Sequence, residues 1–425
     1  MTNVYDTEVR HRMVAATAWL PSRAAEPVND HIWMSRSNSY PYLVTADDGD
    51  LLVNTGHRYQ GPRHRERFEA AIGRPLDLRA IVFTQSHPDH IGGLHAFAGD
   101  GVETIAQRRL PITLAERRSV AAYVHSRPTD PLFARRRVAG EPAEEGTKDK
   151  WNQPPQEVST CVDDRLAFVV GGRRYEALAV PGGESLDGLA LWLAEERTVW
   201  IGNLMGALWG ALPHLSTIRG DRPRSAMLFV RSVERVLALE PELLLTGHDE
   251  PIRGAERIQV EVGKVVDAVR FIHDETLAGM RAGKSLWELM EEVRLPPELE
   301  PASGRGPVSW AVRAVWEEHV GWFRAESLTE LFPVPQRAVW PELVELAGGA
   351  ATLVDRARTH LAAGEPLEAL HLLDLVGGVA PDDAGARAVR IAVLEELRRR
   401  EGDDHYDLAR LLELELGRER QAARP

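Results

Sequence analysis

Over its first 250 residues the chain alternates short apolar, β-rich runs with turn punctuation. YLVTADDGDLLVNTG (42–56) reads as a strand, a turn at DDGD and a second strand ending at Gly56. LRAIVFTQ (78–85), with its apolar AIVF run, reads as a buried-type strand, and VETIAQ (102–107) is a shorter one. RLAFVV and RRYEALAVPGG flank a Gly-Gly turn as a hairpin over 165–183. LALWLAEERTVWIG (189–202) repeats that pattern, and PELLLTGH (241–248) closes the series. Helical spacing falls between the strands at 63–73, around 109–126 and at 223–239. Strands alternating with helices, each pair closing on a polar loop, predict a layered α/β domain.

After about residue 255 the β-rich runs stop. RIQVEVGKVVDAVRFIHDETLAGMRAG (257–283) predicts one long amphipathic helix. In the following SLWELMEEVRLPPEL, Ser285 and Glu288 have the spacing of a capping box. Residues 350–425 carry Ala and Leu at helical spacing and predict two or three further helices packed as hairpins, with no fixed repeat period. The expected division is an α/β domain over 1–255 and an almost wholly α-helical domain over 256–425.

The totals narrow the function. At 425 residues the chain is too long for one ordinary core. A net charge of −13 argues against a broad nucleic-acid surface, which needs clustered Lys and Arg, while 51 basic residues leave room for a local cationic pocket. Cys161 is the only cysteine, so an intrachain disulfide and a thiolate metal cluster are both excluded. The first residues hold no long apolar stretch of a secretory signal, and no run approaches the ~20 apolar residues of a membrane span. The expected setting is cytoplasmic, with neither membrane nor nucleic acid as partner.

Candidate chemistry sits where strands end. FTQSHPDHIGGL (83–94) follows the apolar strand at 78–82 and places Gln85, His87, Asp89 and His90 on the loop at its C-terminal end. Alternate positions of an extended segment project to one side, which lets 85, 87 and 89 converge, and the Gly-Gly pair permits a tight turn into the next helix. Imidazole and carboxylate are ligands for zinc, iron or manganese. Three other strand ends present comparable groups: Glu184 in VPGGES, Asn203 in VWIGN and His248 in LLLTGH.

Together these stretches resemble the metallo-β-lactamase superfamily, whose H-x-H-x-D-H motif is followed by Gly-Gly, and more narrowly its alkylsulfatase-like branch. PGGE at 181–184 has the form of the branch's Pro-Gly-x-Glu segment, which supplies a glutamate ligand. LSTIRG (215–220) matches its sulfate-binding L-x-T-x-R-G stretch, and IHDETL (272–277), GWF (321–323) and AGG (347–349) follow the order of its helical dimerisation domain. The resemblance spans nearly the whole chain. It implies an αββα sandwich followed by an all-α dimerisation domain, and a homodimer.

Two ligand positions depart from the branch: Gln85 stands at the first His of the motif, and Asn203 stands at the bridging carboxylate. A neutral amide oxygen binds late first-row metals more weakly than imidazole or carboxylate. The intact set is therefore Asp89, His90 and His248, expected to hold one divalent metal. His87 and Glu184, with Gln85, would hold a second, weaker or different ion. Zinc is the first expectation, as one or two ions, with iron or manganese as alternatives. Arg219 is implied as the clamp on the substrate's anionic head, Trp209 as a pocket wall and His214 as a general acid. The implied activity is hydrolysis of a small anionic ester, sulfate ester first, by metal-activated water. The bacterial surfactant sulfatases of the branch carry an export signal and a C-terminal sterol-carrier-like domain. Neither is read in this sequence, so detergent-type long-chain sulfates are not the expected substrate. An iron- or manganese-dependent biosynthetic enzyme with a non-hydrolytic reaction, or a dimeric non-catalytic binding protein, are the other readings.

Overall fold

The computed structural model describes residues 24–126 and 158–424, apart from 207, 208, 216, 219–221, 223, 302, 303, 305 and 403. The chain forms two compact units, the first reaching Trp316 and the second running from Glu317 onward.

Among the described residues, the first unit is built around two sheets. One has seven strands in sequential order: β1 (Glu26–Pro27), β2 (Ile32–Met34), β3 (Tyr42–Val44), β4 (Asp50–Val53), β5 (Leu78–Val82), β6 (Glu103–Gln107) and β7 (Thr160–Val162). The other has six, in the order β13 (Ile252–Arg253), β12 (Leu243–Thr246), β11 (Thr198–Gly202), β10 (Leu189–Leu193), β9 (Arg173–Ala179) and β8 (Arg165–Val170). Pairing is parallel from β4 through β7 and between β11 and β12, and antiparallel elsewhere.

Period-2 geometry explains the apolar run of β5. Ala80 and Val82 point between the sheets, where they join Tyr42, Leu51, Tyr175, Leu191, Trp200 and Leu245 in one core. Ile81 and Phe83 point the other way, to a second core with Phe68 of α1 (Gly61–Ile72) and Leu110 and Leu114 of α3 (Leu110–Ser126). A strand covered on both faces has no polar face to alternate with. On the far side of the second sheet, α4 (Ala226–Leu237) turns Phe229, Val230, Val233 and Val236 inward, starting from Ser225, whose hydroxyl accepts the Leu228 amide.

The first unit extends past residue 255. Helix α5 (Ala255–Arg281) packs on α4 and buries Ile258, Val262, Val265, Val266, Val269 and Ile272 along one stripe. It is followed by α6 (Leu286–Glu292), where Ser285 and Glu288 form the reciprocal capping box. Among the described residues the second unit holds four helices after residue 349, not two or three: α7 (Ala350–Ala362), α8 (Pro366–Val379), α9 (Ala384–Glu401) and α10 (Tyr406–Ala422). Gly364 at φ +82° and the Asp383 cap each break what the Ala/Leu pattern leaves continuous. Their core joins Leu353, Leu373, Val393 and Leu412. Among the described residues no helix is long and apolar enough to cross a membrane.

Candidate metal centre

The strand ends of both sheets deliver the polar residues to one edge of the sandwich. Beyond Val82 the chain stays extended, with the Phe83 amide donating to the Ile105 carbonyl at 2.9 Å. Thr84, Gln85, Ser86 and His87 are all buried. His87, at φ −65° and ψ 142°, is the last extended residue, and Pro88 then opens the short helix α2 (Pro88–Ile91). That single turn carries Asp89 and His90, and the Thr55 amide pins it by donating to the His90 carbonyl at 2.7 Å. Glu184 follows β9, Asn203 follows β11 and His248 follows β12. Gly247 is required where the last two meet: a Cβ there would lie 2.4 Å from Asn203 Oδ1 and 2.7 Å from His90 Cε1.

Asp89, His90 and His248 converge, with one ligand atom of each inside 4.8 Å of the others. Asp89 Oδ2 is 3.5 Å from His90 Nε2 and 3.4 Å from His248 Nε2, and the two imidazoles stand edge to face with centroids 5.5 Å apart. Alongside, His87 Nδ1 is 3.4 Å from Glu184 Oε2. Asn203 joins the two groups, its Nδ2 donating to Glu184 Oε2 at 2.9 Å and to His248 Nε2 at 3.0 Å. Gln85, at 2% exposure, lies on the same extended segment as His87.

Burial and charge suit a cation here. Among the described residues, Gln85 Nε2, His90 Nε2 and Asn203 Oδ1 are buried with no hydrogen-bond partner. Each such group costs about 1–3 kcal/mol if left unsatisfied. Burial alone would push the Asp89 carboxyl up, but the imidazoles of His90, His57, His248 and His87 together outweigh it and hold it well below the usual carboxylate range. Burial lowers the His90 imidazole to about 4 despite the pull of Asp89, so its ring is neutral near pH 7. His248 Nδ1 donates to the Asn38 carbonyl at 2.5 Å, which puts the lone pair on Nε2, where it accepts from Asn203 Nδ2 at 3.0 Å beside Asp89. Two imidazoles, that of His90 neutral, and one ionised carboxylate form a donor set that fits a divalent first-row cation.

Of the remaining sequence candidates, Trp209 is half-buried, with its backbone amide donating to Asp249 Oδ2 at 2.8 Å and its indole donating to Glu261. The Trp209 loop is thereby tied to the turn that bears His248. His214 is half-buried on the loop after β11, and its carbonyl accepts from Arg224. Arg219 lies outside the described residues.

Sequence reasoning passed over the supports. Ser39 donates its hydroxyl to the Asp89 carbonyl, the Asn38 side chain sits 3.2 Å from His57 Nε2, and His57 is 2% exposed. Asn54, just past β4, sits 3.0 Å from His90 Nδ1. Asn54 and His57 had the signal that marked the others, polar residues at a strand's C-terminal end. Asn38 had none, because its backbone carbonyl holds His248.

The fold is an αββα sandwich with a carboxylate and two imidazoles gathered at its strand ends, an arrangement that could hold a metal ion. The chain belongs to the metallo-beta-lactamase superfamily, whose family model matches residues 35–248, and an alkyl sulfatase dimerisation model matches residues 286–403. It is similar to a linear primary-alkylsulfatase of a Pseudomonas species, 25% identical over 82% of this chain and 68% of the relative. An alkyl/aryl-sulfatase of Saccharomyces cerevisiae is 23% identical over 75% of this chain and 52% of its own. Among solved structures, the stereoselective inverting sec-alkylsulfatase Pisa1 from Pseudomonas sp. superposes with a TM-score of 0.76 at 19% identity, over 95% of this chain and 66% of that one. The chain thus spans about two thirds of the length of these two Pseudomonas proteins and about half of the yeast protein's.

Proposed function

We propose that this chain is a metal-dependent hydrolase of a small anionic ester, with sulfate ester the first substrate class. The observation that carries the reading is the convergence of Asp89, His90 and His248 from two separate strand ends. The alkylsulfatase relatives support the substrate class.

A divalent cation bound there, zinc first, supplies Lewis acidity and makes a water acidic enough to serve as nucleophile near neutrality. The chain's own residues do the rest. Asp89 remains ionised and His248 is held in one tautomer by the Asn38 carbonyl, so two donors are oriented in advance. Glu184, His87 and Gln85 form the weaker half, tied in by Asn203. Arg219 holds the anionic head through a planar, permanently charged fork. Trp209 walls the pocket, and His214 passes a proton to the departing alcohol oxygen. We assign catalysis to 1–255 and dimerisation to 256–425, in a cytoplasmic homodimer. In the second unit Trp322, Leu328, Phe332, Val334 and Leu346 are exposed apolar side chains available to a second copy.

The Asn203 amide also favours a second reading, since it occupies both His248 and Glu184 with its hydrogens. On that reading the site takes iron or manganese for a non-hydrolytic step, or binds a ligand without turning it over. Metal analysis of protein purified without chelator, followed by sulfate release from short-chain and aromatic sulfate esters, separates them. Zinc at one equivalent with sulfate released supports the hydrolase. Iron, or metal-replete protein that cleaves no ester in the panel, overturns it.

A further inference from the structure

We propose that Asn54 holds His90 in the tautomer whose proton lies on Nε2, and that this amide thereby weakens the cation site. The inference rests on the reading that Asp89, His90 and His248 bind a divalent metal.

The orientation of the Asn54 amide is fixed by a group that can only donate. The Thr84 backbone N–H lies 3.0 Å from one terminal atom of Asn54, which must therefore be the carbonyl oxygen, Oδ1. The Thr84 hydroxyl sits 3.1 Å from the same atom. The other terminal atom is then the amide nitrogen, 2.9 Å from Thr84 Oγ1 and 3.0 Å from His90 Nδ1. A ring nitrogen facing an N–H must accept, so Nδ1 carries the lone pair and a neutral ring keeps its only proton on Nε2. Nε2 is the atom facing Asp89, 3.5 Å from Oδ2.

Metal binding through Nε2 needs the opposite tautomer. Moving the proton to Nδ1 would set two donors head to head across the 3.0 Å gap. Turning the amide over relieves that clash but points its N–H2 at the Thr84 amide. Thr84 has little room to retreat, because Gly202, at φ +52°, passes so close that a Cβ there would lie 2.4 Å from Thr84 Oγ1. His248 faces no such conflict, since its Nδ1 meets a backbone carbonyl. An aspartate at 54 would present acceptors to Thr84 and to His90 alike. The position suits it, as φ of +62° is a conformation that Asn, Asp and Gly adopt.

The test uses wild type, Asn54→Asp and Asn54→Gly in the full chain. Long-range ¹⁵N–¹H NMR of the metal-free protein reads the His90 tautomer, assigned by loss of its signals in His90→Gln. Competition with a chromophoric chelator reads zinc affinity. We expect the Nε2–H tautomer in wild type, the Nδ1–H tautomer in Asn54→Asp, and zinc binding tightened about 10- to 100-fold, the range for an outer-shell partner of a ligand histidine. Asn54→Gly removes the donor without strain and should fall between. A wild type already in the Nδ1–H form, or zinc affinity unchanged or lower in both folded variants, overturns the inference. Zinc binding insensitive to Asp89→Asn would instead overturn the metal-site reading, and the tautomer measurement would still judge Asn54.

Discussion

The two halves of the site differ little in burial and more in chemistry. The Asp89 and His248 side chains are 14% and 11% exposed and those of Glu184 and His87 5% and 7%, a gap too small to set the halves apart. Donor type does separate them, since each half keeps one carboxylate but the first adds two imidazoles and the second one. The first half has an ionised carboxylate between two imidazoles. The second has one imidazole and one carboxylate 3.4 Å apart, with two neutral amides, Gln85 and Asn203, completing it. Low-dielectric surroundings raise the cost of every uncompensated charge, so two dications are poorly matched by Asp89 and Glu184 alone, and the half with a single imidazole is the weaker host. The contrast teaches that a shared scaffold can keep the shape of a two-ion centre while its electrostatics favour one ion.

The largest expected effect breaks the stronger half. Asp89→Asn removes its only anion, and zinc content and turnover should both fall by more than the about 100-fold ceiling of outer-shell changes. Elemental analysis beside a sulfate-release assay reads both. A variant that keeps its zinc would show that the halves do not differ as described.

Repairing the weaker half comes next. Gln85→His combined with Asn203→Asp supplies an imidazole and a second carboxylate. Zinc stoichiometry by titration should move from one equivalent towards two, the added site tightening by about 10-fold or more. An unchanged stoichiometry would mean that geometry rather than ligand type limits the second ion.

A smaller effect concerns the loop that supports the first half. His64 Nδ1 lies 2.7 Å from Ser35 Oγ and its Nε2 lies 3.1 Å from Ser37 Oγ, behind the segment that supplies Asn38 and Ser39. Burial, then the charges of Arg67 and His57, lower this imidazole from 6.5 to about 3. The folded state thus binds its proton later than the unfolded chain. His64's contribution to stability is complete above pH 6.5 and declines as pH falls from 6.5 towards 3, by up to about 1.4 kcal/mol per pH unit. In denaturant melts across that window, His64→Asn should flatten the acid slope by about one proton. An unaltered slope would remove His64 from the account.

Much of the architecture was legible because the strands that matter are long or doubly covered. LALWL of β10 is apolar and buried throughout, and the AIV end of β5 packs into cores on both of its faces. The two- and three-residue strands β1, β2, β7 and β13 passed unread, since a period of two needs more positions to declare itself. In the site, residues acting through side chains at strand ends could be picked out by position, from Gln85 to His248. Ser39 and Asn38 could not, one bonding a backbone carbonyl and the other supplying one. The pairing of Asn54 with His90 also escaped, because it joins the ends of β4 and β5 across the sheet.

The central claim is that one cation is shared by Asp89, His90 and His248. A crystal grown with zinc and measured on both sides of the zinc absorption edge addresses it directly. The account predicts the strongest anomalous peak within ligand distance of all three side chains, about 2.0–2.2 Å from each donor atom. A strongest peak at His87 and Glu184, or none at the sandwich edge, would contradict it.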